Sequence, residues 1–168
     1  DYMLGYGFGE KTGIELPQEG KNNISNITGG NRDIEYATAS FGQGIAVTPI
    51  AMATALSSLA NGGLLMKPYV VKEESVKGLR NRVASPQEVR RVLKKETAED
   101  ITRMLVNVVD NALVGGIHKM EHYSVAAKTG TAQLVEKGKR TYAEGEFIHT
   151  FFGYAPAFDA KFLTFLFI

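Results

Sequence analysis

Residues 126–133, Ala-Ala-Lys-Thr-Gly-Thr-Ala-Gln, combine side chains that can bind an anionic ligand. Side chains alternate between the two faces of a strand, so Lys128 lies on one face while Thr129 and Thr131 lie on the other. At a sheet edge, backbone N–H groups, the two hydroxyls and the lysine charge could together hold an extended ligand that ends in a carboxylate. The alternative is a surface strand whose lysine points into water, and composition alone leaves both interpretations open.

The strand face that carries Lys128 is otherwise made of small residues, Ala126, Gly130 and Ala132. This pattern predicts that another element, most simply a helix, packs closely on that face. A lysine between two closely packed elements needs an oppositely charged partner or a solvent-filled cleft, because burying an unpaired charge costs free energy.

Other common kinds of functional site are missing from the sequence. It contains no cysteine, which excludes a disulfide framework, a thiolate metal site and a cysteine nucleophile. His118 and His122 are four residues apart, but glycines precede them and a strand is expected to follow, so no helix is available to pair them as metal ligands; His149 is isolated. The glycines at 5–9 and 42–44 lack the third glycine of a dinucleotide site, and there is no phosphate loop. We therefore expect no metal and no cofactor.

The length of 168 residues corresponds to one domain or to a piece of a larger one. A hydrophobic fraction of 44% and a charged fraction of 22% are typical of globular proteins. With a net charge of +1, the chain lacks the excess of basic residues that is typical of nucleic-acid-binding proteins. No apolar run reaches the ~18 residues of a membrane helix. The chain starts at Asp1 without a methionine and ends in an apolar run at 161–168, so we expect both ends to be cuts inside a longer protein.

Two helices are predicted from local signals. Thr48 and Pro49 are typical of a helix start, and the apolar residues that follow surround the whole helix, so residues 49–61 should be buried. Thr97 is predicted to cap a second, amphipathic helix at 98–113, which Gly115 and Gly116 end. Its expected core face consists of Ile101, Met104, Leu105, Val108, Val109, Ala112 and Leu113.

Alternating or apolar runs predict the strands. The last third of the chain should form three strands, at 123–135, 147–154 and 162–168, with a turn at 136–139. The run 147–154 is apolar on both faces, which favours a central strand covered on both sides. Earlier in the chain we predict a short strand at 67–71, and either a capping-box helix from 85 or a strand at 89–93. Residues 1–20 are predicted to be glycine-rich turns, and 21–32 a loop.

Several glycine-rich motifs occur in a fixed order along the chain. They are Gly-Phe-Gly-Glu-Lys-Thr-Gly-Ile-Glu-Leu-Pro at 7–17, Ser-Phe-Gly-Gln-Gly-Ile-Ala-Val-Thr-Pro at 40–49, Ala-Asn-Gly-Gly at 60–63, Pro68, Lys-Thr-Gly-Thr-Ala-Gln at 128–133 and Phe-Phe-Gly-Tyr-Ala-Pro at 151–156. This order resembles the class B penicillin-binding proteins, which are monofunctional peptidoglycan transpeptidases. The resemblance implies an α/β fold of the penicillin-binding-protein and serine β-lactamase type, an antiparallel sheet with helices packed on it. It also favours the strand at 89–93 over the helix.

The resemblance implies a role for each residue of the Lys-Thr-Gly-Thr motif. Lys128 would line the active cleft, and Thr129 and Thr131 would bind the carboxylate of a donor peptide or of a β-lactam. The Thr131 backbone N–H would be one of two oxyanion-hole donors, each worth roughly 3 kcal/mol of transition-state stabilisation. Gly130 would let the helix of the nucleophile approach.

The sequence departs from the family pattern at the nucleophile. The family carries it in S-x-x-K, and none of the seven serines here has a lysine three residues later; S-x-N is also missing. We therefore expect residues 1–168 to be the C-terminal part of a transpeptidase domain whose N-terminal half, with both motifs, is not in this chain.

The function implied for the parent protein is acyl transfer from a D-Ala-D-Ala stem peptide to an amine through a serine ester. The fragment alone is expected to be inactive. The implied partners are peptidoglycan stem peptides, β-lactam antibiotics and cell-wall synthesis proteins, at the extracytoplasmic face of the bacterial cytoplasmic membrane, with the anchor outside this chain. The alternative is a non-catalytic module of a degenerate homologue that binds peptidoglycan or a division partner. A β-lactamase is disfavoured by the glycine-rich motifs.

Overall fold

Helices and short antiparallel sheets alternate along the chain in the computed structural model, which describes residues 2–30, 32–75, 77, 82–136 and 142–168. This confirms the α/β fold class. The elements are α1 Tyr2–Gly5, α2 Ser25–Thr28, α3 Asp33–Ala39, α4 Pro49–Ala60, β1 Leu64–Lys67, β2 Glu73–Glu74, β3 Arg82–Val83, β4 Gln87–Arg91, α5 Lys95–Asn107, β5 Ala126–Val135, β6 Tyr142–Ala155 and β7 Phe162–Phe167.

Helix α4 begins where the sequence predicts. The Thr48 hydroxyl accepts a hydrogen bond from the Ala51 N–H at 3.3 Å, and Pro49 occupies the first turn, where no N–H is needed. Ala51, Ala55 and Ser58 are buried along the helix, which packs against β1, α5 and β7. The expected burial is therefore confirmed only in part, because Leu56 and Leu59 are half-buried and Pro49 is exposed.

Helix α5 begins earlier than predicted. The Ala98 N–H bonds to the Lys94 carbonyl at 3.1 Å, so the first turn already precedes Thr97, and the predicted Thr97 cap is wrong. The helix continues as a π-helical turn, Val108–Ala112, and the chain then leaves the helical conformation at Val114 and Gly115, whose φ angles are +50° and +68°.

The core face of α5 also differs from the predicted one. Leu105 and Val109 are buried as expected, but Met104 is 65% exposed and Ala112 is exposed. Thr102, which was not expected in the core, is buried at 3% exposure because its hydroxyl has partners there.

Strands β1 and β4 form a two-stranded antiparallel sheet that follows α4. The Gly63 carbonyl accepts hydrogen bonds from the Val92 and Leu93 N–H groups at 2.8 and 3.2 Å, which aligns the two strands from Leu64 onward. The predicted strand at 67–71 is wrong, since β1 ends at Lys67 and Pro68 has no N–H to continue the ladder. The choice of a strand over a capping-box helix is confirmed, with β4 two residues earlier than 89–93.

Strands β5, β6 and β7 form the largest sheet, antiparallel and in that order. The three predicted strands and the central position of 147–154 are confirmed, although β6 begins already at Tyr142. Within 147–154 only Gly153 and Tyr154 are buried, and Phe147 is 44% exposed, so the expected cover on both faces is found only at that end. Of the predicted turn at 136–139, positions 137–139 lie outside the described residues.

A core cluster joins α5 to the three-stranded sheet. It contains Leu105, Ala126, Tyr154 and Ala157. The Tyr154 hydroxyl lies 2.7 Å from the Thr102 hydroxyl inside this cluster. Burial raises the pKa of Tyr154 above its usual value. The base of β5 is therefore fixed to a helix through packed and hydrogen-bonded side chains.

A second cluster fixes the N-terminal segment to α4. Phe8 and Ile24 are buried there against Ala51 and Ala55. The segment predicted as turns and loop, 1–32, contains the short helices α1 and α2, and Asn23 forms a bridge to Ala46. Helix α3 was not predicted.

Candidate functional site

The Lys-Thr-Gly-Thr motif lies on β5 where this strand leaves the core. Ala126 and Ala127 are almost fully buried at 0% and 1% exposure, whereas Lys128 and Thr129 are exposed. Within the part of the chain that the structure describes, β5 has a strand partner, β6, on one side only. The motif thus combines a rigid, anchored base with an accessible edge, as the binding of an extended ligand by strand addition requires.

The lysine does not lie in a close-packed seam. Lys128 is exposed, and its Nζ donates a hydrogen bond to the Thr129 carbonyl at 2.6 Å. The neighbouring strand approaches Gly130 closely: a Cβ there would lie 2.5 Å from the Thr150 hydroxyl oxygen, so the Thr150 side chain would have to shift. The predicted helix packing on this face is confirmed at Ala126, where Leu105 of α5 contacts the strand. At Lys128 no helix of the described residues covers the strand, since the lysine is exposed.

The opposite face of β5 carries the two threonine hydroxyls. Thr131 is paired across the ladder with His149 of β6, and its hydroxyl oxygen lies 3.2 Å from the imidazole Nδ1. Both side chains are exposed. No local signal connects His149 with the motif, because His149 and Thr131 are 18 residues apart and the strand register decides whether they meet.

The remaining candidate residues do not form a site in this structure. His118 lies in a turn and His122 in a bend, and no group of three or more His, Cys, Asp or Glu residues that could hold a metal is present among the described residues. A cleft of about 250 Å³ beside β1 is lined by residues that include Glu15, Lys67 and Glu74, and none of its lining residues belongs to β5.

The sequence model of the penicillin-binding protein transpeptidase domain matches residues 1–168. The chain belongs to the penicillin-binding protein transpeptidase family. This confirms the family that the glycine-rich motifs indicated.

Two relatives show where the chain stands within the family. Stage V sporulation protein D of Bacillus subtilis is 38% identical over 167 residues, which are 98% of this chain and 25% of the relative. The probable peptidoglycan D,D-transpeptidase PenA of Neisseria meningitidis is 33% identical over 126 residues, which are 75% of this chain and 20% of the relative. Both are class B penicillin-binding proteins, and the chain spans a quarter of their length or less.

Solved structures of the family share the fold. Penicillin-binding protein 3 of Mycobacterium tuberculosis, solved with aztreonam, superimposes with a TM-score of 0.84 at 26% identity, over 99% of this chain and 38% of the other. Penicillin-binding protein 2X of Streptococcus thermophilus superimposes with a TM-score of 0.87 at 23% identity, over 99% and 25% of the two chains. The expected transpeptidase fold is therefore confirmed.

None of the helices that the structure describes is long and apolar enough to cross a membrane.

Proposed function

We propose that the chain is the C-terminal part of the transpeptidase domain of a peptidoglycan D,D-transpeptidase, which cross-links stem peptides by serine acyl transfer. The observation that carries the proposal is the exposed Lys-Thr-Gly-Thr motif at the anchored edge of β5, in a chain whose whole length matches the transpeptidase family. An exposed edge strand with a cationic side chain and two hydroxyls suits an extended peptide that ends in a carboxylate.

The proposed reaction has two steps. A serine hydroxyl outside residues 1–168 attacks the carbonyl between the two terminal D-alanines, forms an ester and releases the last D-alanine as the amine. An amine of a second stem peptide then attacks the ester, forms the cross-link amide and frees the serine. In a β-lactam, attack opens the ring amide, and the ester that forms keeps the former leaving amine attached.

Each residue of the motif has a proposed role in these steps. The Lys128 ammonium would contribute positive charge to the cleft, and the Thr129 and Thr131 hydroxyls would bind the ligand carboxylate. The Thr131 backbone N–H would be one of two donors to the oxyanion of the tetrahedral intermediate, worth roughly 3 kcal/mol. The absence of a side chain at Gly130 would also let the helix of the nucleophile approach.

The proposed setting follows from the same function. The parent protein would act at the extracytoplasmic face of the bacterial cytoplasmic membrane, held by an anchor outside this chain. Its partners would be stem peptides, β-lactams and other cell-wall synthesis proteins.

A second candidate rests on a specific observation. None of the seven serines of the chain stands in S-x-x-K or S-x-N. A degenerate homologue that binds peptidoglycan or a division partner without catalysis would share the fold and the exposed strand and would also lack these motifs.

One labelling experiment separates the two candidates. The full-length protein, meaning the longer chain that we propose contains residues 1–168, is incubated with a β-lactam and studied by intact-mass spectrometry and peptide mapping. We expect one covalent adduct, on a serine outside residues 1–168. No adduct would support the non-catalytic candidate. An adduct on any of the seven serines here would refute the proposed division of the domain.

A further inference from the structure

We propose that His149 is a positioning residue of the carboxylate site, which sets the direction of the Thr131 hydroxyl proton and adds a positive charge when it is protonated. The inference rests on the proposed function, because it assigns the ligand carboxylate to the face of β5 that carries Thr131. It adds a residue from the neighbouring strand to the site.

The position of His149 is fixed by the sheet. Its backbone N–H and carbonyl exchange hydrogen bonds with Ile168, each at 2.9 Å, and it is paired with Thr131 on the other side. The ring of Phe147, two residues earlier on the same face, lies 6.3 Å from the imidazole between centroids. The imidazole therefore faces Thr131 from a central strand while it stays exposed to solvent.

The 3.2 Å contact between Nδ1 and the Thr131 hydroxyl can be made in two ways. When Nδ1 carries no proton, the hydroxyl must donate to it, and its single proton is then turned away from a ligand. When Nδ1 carries a proton, it donates to the hydroxyl oxygen, and the hydroxyl proton is free to bond to a carboxylate. A bound carboxylate therefore favours His149 with a proton on Nδ1, and the doubly protonated ring attracts the ligand further.

Few other charged groups face the imidazole in the described part of the chain. Lys128 and Glu146 alternate onto the other face of the sheet. On β7, the neighbour Ile168 is uncharged and exchanges backbone hydrogen bonds with His149. The other neighbours on this face are uncharged: Thr129, Gln133, Phe147, Phe151 and Leu166.

The test uses the full-length protein and a β-lactam that carries a carboxylate. The second-order rate of acylation is measured from about pH 8 to pH 5.5, the range over which an imidazole ordinarily takes up its second proton. We expect the ratio of the wild-type rate to the His149→Phe rate to rise by about threefold as the pH falls, the scale of one ion pair at an exposed site. His149→Asn, which keeps an N–H donor without a titrating charge, should exceed His149→Phe at every pH and show no such rise.

Two controls isolate the carboxylate. His122→Phe removes an imidazole whose side chain is 80% exposed in a bend outside β5 and β6, so its rates should match the wild type at every pH. With the methyl ester of the same β-lactam, the pH-dependent gain of wild type over His149→Phe should vanish. Thermal melts check that each variant is folded.

The outcomes separate this inference from the proposed function. If the ratio of the wild-type acylation rate to the His149→Phe rate does not change with pH, or rises equally with the methyl ester, the role of His149 is overturned. The transpeptidase function would then still stand. A wild-type protein that no β-lactam acylates at any pH would overturn both.

Discussion

The hydroxyls of Tyr154 and Thr102 meet 2.7 Å apart in the interface between β6 and α5, and we predict that their stabilising effects are coupled. The Thr102 hydroxyl also donates to the Ala98 carbonyl at 2.8 Å, which uses its single proton. Tyr154, at 0% exposure, must therefore be the donor to Thr102. The two single variants should differ in cost because only one of them leaves a buried hydroxyl without a partner.

The magnitudes follow from that asymmetry. Thr102→Val keeps the shape of the side chain but leaves the buried Tyr154 hydroxyl unpaired, which should cost about 1–3 kcal/mol of unfolding free energy. Tyr154→Phe leaves the Thr102 hydroxyl bonded to Ala98 and should cost about 0.5–1.5 kcal/mol. In the double variant no unpaired hydroxyl remains, so its cost should fall short of the sum by about 1 kcal/mol.

Denaturant unfolding of the full-length protein and the three variants measures the cycle. Thr97→Val, an exposed threonine on the same helix, controls for the effect of valine on the helix and should change the unfolding free energy by less than about 0.5 kcal/mol. Strictly additive costs for the two single variants would refute the coupling. So would a Thr102→Val variant as stable as the Thr97→Val control.

Two further predictions concern backbone strain and acid stability. Gly63→Ala should lower the unfolding free energy, followed by thermal melts, by about 3 kcal/mol or more, because Gly63 has a φ of +96° and an added Cβ would lie 2.1 Å from the Leu93 carbonyl oxygen. Gly42→Ala, with a φ of +86° but open space around it, should cost only about 1 kcal/mol in the same measurement. Equal losses of stability in the two variants would contradict the steric explanation. Burial acts to raise the pKa of Glu19, but hydrogen bonds from the Thr12 N–H and hydroxyl and from the Gly13 N–H lower it overall below its usual 4.5. The stability that Glu19 contributes should therefore be present above pH 4.5 and lost as the pH falls through the lower pKa of the folded state. Glu19→Gln should reduce the loss of unfolding free energy at acidic pH, and an unchanged pH dependence would contradict this.

The elements that were predicted correctly are those with strong local signals. Thr48 and Pro49 determine where α4 begins through one hydroxyl contact and one missing N–H, and both are visible in the sequence. The strands of the large sheet follow from their apolar runs. Helix α5 was misplaced because Lys94, the residue before its first turn, makes no side-chain cap hydrogen bond, so the sequence carries no mark there.

The candidate site was predicted only in part. The motif from Lys128 to Thr131 could be found by resemblance because its residue types and order are local. The exposure of Lys128 and the approach of His149 to Thr131 depend on which residues of β5 and β6 lie opposite one another. That register is set across a hairpin whose β6 side contains Gly145 at a φ of +77°, and no single stretch of sequence specifies it.

The most direct test of the proposed site is the acylation rate of the Lys128→Ala variant of the full-length protein, measured by stopped flow with a β-lactam alongside a thermal melt. Because Lys128 is exposed and its ammonium contacts only a backbone carbonyl among the described residues, its loss should shift the melting temperature by no more than a few degrees. Acylation should fall by at least about a hundredfold, the scale of losing a charged contact to the transition state. Lys161→Ala, which removes an exposed lysine paired with Asp159 before β7, should acylate at the wild-type rate. Near-normal acylation by Lys128→Ala would contradict the proposal and show that Lys128 is a solvated lysine on a surface strand.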